Sequence, residues 1–161
     1  MAKAGRRTRI TLFLVMAAVA VILDQIVKAW VRSALPKTGD TAPFIPGVLR
    51  LLHVENTGAA FSMGEGKGFF FVAIAVAIFI LALLAVWKEE LSVPFALALG
   101  AVAGGGIGNM IDRLVQGSVT DFFATQFMDF PVFNVADIFV TLGVICVLIC
   151  LIREGGEDRR G

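Results

Sequence analysis

Asn109, Asp112, Arg113, Asp121, Asn134 and Asp137 crowd into one stretch, GGGIGNMIDRLVQGSVTDFFATQFMDFPVFNVAD (residues 104–137), of an otherwise largely apolar chain. Charged groups within membrane-length segments are costly and usually functional. Several carboxylates and one arginine suit acid–base hydrolysis. Two carboxyls held close together share a proton near neutrality, because repulsion and partial burial raise one pKa. The ionised member then takes a proton from water while the protonated member polarises the scissile carbonyl and supports amine departure. Such chemistry needs no metal, no cofactor and no nucleophilic serine. Ser62, Ser118 and the threonines have no adjacent histidine or lysine base, and HExxH is absent. The single histidine, His53, and the two cysteines, Cys146 and Cys150, do not make a metal site. The cysteines stand four apart in an apolar run, where they pack as small hydrophobes.

Spacing alone leaves the reacting pair open. Asp112 stands beside Arg113, which favours its ionised form and an orienting job. Asp121 and Asp137 have no cation next to them in sequence and are preferred for proton sharing. Two other classes of function compete. In one, polar groups serve only to glue helices, as in a non-catalytic assembly protein; in the other, intramembrane acids form a relay in a proton-coupled transporter. A relay needs ionisable groups through the whole depth, and the inner halves of the apolar segments lack them.

The elements that must position these residues read as membrane spans. The chain has 161 residues, is 58% hydrophobic and carries a net charge of +1, with a mean hydropathy of +0.87. This excludes an ordinary soluble domain and gives no basic surface for nucleic acid. Four segments, 10–31, 69–87, 94–115 and 135–152, approach the roughly 20 apolar residues that cross a bilayer. The expectation is a single membrane domain over residues 1–161: an all-α integral membrane protein with four transmembrane helices and a small extracytoplasmic β-sheet. Lys3, Arg6, Arg7 and Arg9 before the first span, and Arg153, Arg159 and Arg160 after the last, place both termini in the cytoplasm. The start resembles a signal peptide, but the apolar run continues past Ala20, so an uncleaved span is expected.

In the first span, Asp24 and Lys28 are four apart, acid first, the favourable order for a helical ion pair. The outward segment, about 36–68, carries a β-rich run at 48–54, the turn signal Asn56-Thr57-Gly58, and a pairing candidate at 59–63. Asn56 reads from spacing as a turn former, and His53 and Glu55 as solvated. The second span is structural and lipid-facing. Ser92 and Pro94 suit the start of the third helix. Gly100, Gly104 and Gly108 form a stripe that lets another backbone approach. Asn109, Asp112 and Arg113 share a face of that helix. Topology brings Asp24, Asp112, Arg113, Asn134 and Asp137 to one level near the outer interface, with Asp121 in the loop 116–134. Asp129 reads as surface.

LDQIVKAW, ENTGAAFS, GNMIDR, VTDFF and FNVAD, in this order on four spans, closely resemble bacterial lipoprotein signal peptidase, also called signal peptidase II. The resemblance covers nearly the whole chain. It implies an aspartic endopeptidase of the bacterial inner membrane, with its active site near the outer face. Such an enzyme cuts signal peptides from diacylglyceryl-modified prolipoproteins just before the lipidated cysteine. It further implies Asp121 and Asp137 as the catalytic dyad. Asn56, Asn109, Arg113 and Asn134 would then hold substrate and orient the carboxylates, with Asp24, Lys28 and Asp112 as structural support. The outward sheet would be the family's β-cradle, in contact with membrane lipid, and the expected working unit is a monomer without cofactor.

Overall fold

The computed structural model describes residues 4–58 and 68–158. Four helices, α1 (Arg6–Ala34), α2 (Gly68–Lys88), α3 (Val93–Gln116) and α4 (Val135–Asp158), alternate with three strands. The strands are β1 (Thr41–Ile45) and β2 (Leu49–Asn56) after α1, and β3 (Val119–Thr125) between α3 and α4. All four helices are long and apolar enough to cross a membrane. Large side chains such as Phe69, Phe70, Leu81 and Ile152 point outward, as lipid contact requires.

Local chemistry sets the helix ends. α1 ends at Ala34, with Leu35 as its C-cap and Pro36 next, a residue that resists continuing a helix. Ser92 takes the N-cap backbone position of α3 as expected, with proline in the first turn, although its hydroxyl makes no cap hydrogen bond. At the other end Gly117 adopts φ 80°, the left-handed region open to glycine, and its N–H bonds the Arg113 carbonyl.

α3 is the central helix and packs against the other three. The expected glycine stripe faces α1. A Cβ on Gly100 would fall 2.5 Å from the Phe13 carbonyl oxygen, and one on Gly104 2.5 Å from that of Ala17. Gly105 adds a contact on the α4 side, where a Cβ would meet the Ala136 carbonyl oxygen at 2.5 Å. Backbones therefore touch directly, with alanines and Phe13, Val86 and Phe95 filling the inner core.

The sheet departs from the sequence expectation. The run at 48–54 lies in β2, which pairs antiparallel with β1 on one side and β3 on the other. The pairing candidate at 59–63 lies outside the described residues. The segment 116–134 is not simply a loop, because β3 supplies the third strand and carries Asp121 opposite Val54. Val31, Leu35, Leu51 and Phe122 pack together and fasten this sheet to the C-terminal end of α1. His53 is not solvated but 4% exposed. Its Nδ1 lies 2.7 Å from the Leu35 carbonyl oxygen, the acceptor left free where α1 stops.

Candidate active site

The first turn of α4 is a reciprocal cap. The Asp137 N–H donates to Asn134 Oδ1 and the Asn134 N–H donates to Asp137 Oδ2, each at 3.0 Å. This is a capping box built from Asn and Asp, and it satisfies two amides that the helix itself leaves unpaired. The Ala136 N–H between them donates to Asp24 Oδ1 across the α1–α4 contact, at 2.9 Å. The other Asp137 oxygen, Oδ1, accepts from Asn109 Nδ2 at 2.9 Å.

Asp121 comes to the same place from the sheet. Its Oδ1 accepts from Asn134 Nδ2 at 2.6 Å and its Oδ2 from Asn56 Nδ2 at 3.0 Å. Asn56 is also the turn former that its spacing suggests, since its Oδ1 accepts the Gly58 N–H at 2.9 Å. Burial, followed by repulsion from Asp137, pushes the Asp121 carboxyl up to about 7 against the donors Asn56 and Asn134 and the charge of Lys28. A group poised there can hold or release a proton near neutrality, as acid–base work requires.

A buried ionic cluster lies beneath the two acids. Lys28 Nζ stands 2.9 Å from Asp24 and 3.2 Å from Asp112, and donates to Asn109 Oδ1 at 2.8 Å. That same Asn109 oxygen accepts from Asn134 Nδ2 at 3.0 Å. Asp112 accepts the Thr120 N–H at 3.0 Å. Asp112 and Arg113 do not serve each other, as their adjacency suggests. Successive helical side chains point in different directions, so Asp112 turns inward to Lys28. Arg113 turns to the chain, donating to the Gly58 carbonyl at 2.7 Å and that of Asn109 at 3.3 Å. Its guanidinium also lies 4.8 Å from the Phe71 ring centroid.

Asn56, Asn109, Arg113, Asp121 and Asp137 form the polar wall of a cavity of about 550 Å³. Val119, Phe130, Phe133, Ile138 and Leu142 supply much of its apolar lining. All nine residues singled out from the sequence thus belong to one connected assembly. Asp129 is exposed, as expected. Among the described residues, no group of three or more His, Cys, Asp or Glu is placed to hold a metal ion.

Sequence reasoning missed Gln25, whose amide reaches Asp24, Asp112 and the Gly108 carbonyl at 3.1–3.2 Å. It also missed Arg32, which donates to Thr120 Oγ1 at 3.0 Å and stands 3.7 Å from Asp112. The signal for Arg32 was present, since Asp24, Lys28 and Arg32 recur every four residues and so share a helix face. The apolar wall gave none, because its members come from a strand, a loop and a largely apolar helix in which no periodicity marks one face.

A family model described as Signal peptidase (SPase) II matches residues 16–153. The lipoprotein signal peptidase of Streptococcus pyogenes serotype M2 is 43% identical over 151 residues, covering 89% of this chain and 94% of that protein. The lipoprotein signal peptidase of Lactococcus lactis subsp. cremoris (strain MG1363) is 38% identical over 143 residues, covering 89% of this chain and 95% of that protein. A solved structure described as a bacterial membrane enzyme superposes with a TM-score of 0.83 at 33% identity, covering 90% of each chain.

Proposed function

The chain belongs to the signal peptidase II family, and on that premise we propose that Asp121 and Asp137 are the catalytic pair of an aspartic lipoprotein signal peptidase. The reading has it cut a diacylglyceryl-modified prolipoprotein just before the lipidated cysteine. One observation carries the dyad: both carboxyls line the same cavity, and a single residue, Asn134, is hydrogen-bonded to both.

The chemistry follows from the geometry. With one proton between the two carboxyls, the ionised member removes a proton from water, and the resulting hydroxide attacks the scissile carbonyl carbon. The protonated member gives its proton to the carbonyl oxygen, forming a neutral tetrahedral intermediate. On collapse the carboxylate that gave up its proton takes one back from a hydroxyl of the intermediate, and the carbonyl re-forms. The C–N bond breaks, and the other carboxyl delivers its proton to the departing amine. Asn56, Asn109, Arg113 and Asn134 orient the acids and can serve a substrate backbone. A signal peptide must unwind to be cut, and its freed carbonyls cost several kcal/mol each in lipid unless they find donors. The apolar wall of Phe130, Phe133, Ile138 and Leu142 suits a substrate that is itself apolar.

The orientation follows from charge. With the Arg-rich start of α1 in the cytoplasm, both termini lie inside and the sheet and cavity lie at the outer face of the bacterial inner membrane. Among the described residues, the buried polar side chains beyond Asp24 toward the other end of the bundle are Arg9 and Ser92, both at helix starts. Between them and Asp24, α3 approaches α1 and α4 through glycine, which supports hydrolysis over a transmembrane proton relay. Incubating the purified protein, as a monomer in detergent, with a precursor carrying or lacking the diacylglyceryl group tests the reading. Mass spectrometry is expected to find a new N-terminus at the lipidated cysteine and slow or no cleavage of the bare precursor. Equal cleavage of both, or cleavage elsewhere, would reject it.

A further inference from the structure

Each of the two buried acids beneath the site grips the residue immediately before one of the cavity acids. Asp24 accepts the N–H of Ala136, which precedes Asp137, and Asp112 accepts the N–H of Thr120, which precedes Asp121. The two bonds measure 2.9 and 3.0 Å, and both are buried. Neither acid lines the cavity. We propose that Asp24 and Asp112 are a matched pair of positioning residues that set the separation of Asp121 and Asp137 by holding the backbone of α4 and β3. This rests on the dyad reading given above.

A backbone grip is effective here because little freedom remains between grip and acid. Thr120 is fixed by its ladder pairing with Glu55, and Ala136 by the first turn of α4. Lys28 joins the two grips, contacting Asp24 and Asp112 and reaching Asn109, whose amide in turn bonds Asp137 and Asn134. One ammonium on α1 therefore ties together the three elements that meet at the site. Arg32 adds a side-chain hold on the same Thr120. Stability does not account for such a cluster, since well-packed apolar residues of similar volume are often as stabilising as a buried ion network. Geometry does, because a misplacement of about 1 Å at reacting groups can cost about a hundredfold in rate.

The test uses the full-length protein and a lipid-modified precursor. Asp24→Ala and Asp112→Ala are each expected to lower kcat about a hundredfold with KM little changed. The Asn variants keep a carbonyl oxygen to accept the same N–H and are expected to recover about tenfold of that loss, the order of one hydrogen bond to a well-placed acceptor. In the Ala variants the pH–rate bell should also narrow, because carboxyls held further apart repel less and titrate closer together. The charged groups facing the pair, Lys28 from α1 and Arg113 from α3, are unchanged in all four variants.

An unaltered kcat, an Asn variant no better than its Ala counterpart, or a bell of unchanged width would overturn the proposal. So would Asn variants that fail to insert as folded protein, since the cluster would then serve the fold rather than the spacing. If Asp121→Asn and Asp137→Asn stay active in the same assay, the fault lies with the dyad reading, whatever the grips do.

Discussion

The two halves of α3 meet their neighbours by opposite means. From Gly100 to Gly105 the helix has almost no side chain, and the carbonyls of Phe13, Ala17 and Ala136 sit where a Cβ would be. From Asn109 onward the contacts pass through polar side chains, each with a specific partner: Asn109 with Lys28, Asn134 and Asp137, and Asp112 with Lys28 and Thr120. The N-terminal half is sensitive to volume and indifferent to chemistry. The C-terminal half is the reverse, and an isosteric change of one atom there should cost more than an added methyl does in the other.

The sharpest way to break that contrast is to change one carboxyl oxygen to nitrogen. Asp121→Asn and Asp137→Asn preserve shape, and each is expected to lower cleavage by about 10³-fold or more, within or beyond the range of a lost general acid or base. Melting in detergent should show that both remain folded. Next comes Asn134→Ala, which removes the amide bonded to Asp121 and Asn109 and the cap of α4. Activity should fall about a hundredfold and stability by about 1 kcal/mol, measured by cleavage and by thermal unfolding. Gly104→Ala tests the N-terminal half: stability should drop by about 1–3 kcal/mol through overpacking against the α1 backbone, while turnover per folded molecule stays unchanged. Asp129→Asn, on the exposed loop, should move neither quantity measurably.

Much of this contrast was legible in the sequence. An apolar run interrupted by Asn109, Asp112 and Arg113 announces where α3 changes character, because lipid tolerates such groups only for a reason. The start of α3 at Ser92 and Pro94 follows from backbone chemistry, and the glycine stripe from its spacing of four. The strand β3 was hidden for a physical reason. VTDFFAT is buried on nearly every residue and carries an acid at its centre, so it shows no alternation, and its partner β2 lies more than sixty residues earlier. The partners of Asp112 were misjudged because adjacency in sequence is not adjacency on a helix. His53 reads as polar and therefore wet, yet the free carbonyl at the end of α1 gives its ring a buried partner.

The raised Asp121 pKa also ties the site to stability. A carboxyl lifted from 3.8 to about 7 favours the folded state below its unfolded pKa, and that contribution is lost as pH rises through about 7. Between pH 4 and 7 the wild-type protein should therefore lose stability relative to Asp121→Asn, in which this slope is absent.

The proton on Asp121 is the most direct thing to measure. Carbon-13 NMR of labelled aspartate carboxyls, assigned through Asp121→Asn, should show Asp121 titrating near 7 in the resting protein. In Asp137→Asn the midpoint should fall, because one source of repulsion is gone, yet stay above the ordinary carboxylate value through burial. A midpoint near 4 in the unaltered protein, or one that ignores Asp137→Asn, would mean that the two carboxyls do not share a proton, and the dyad would have to be abandoned.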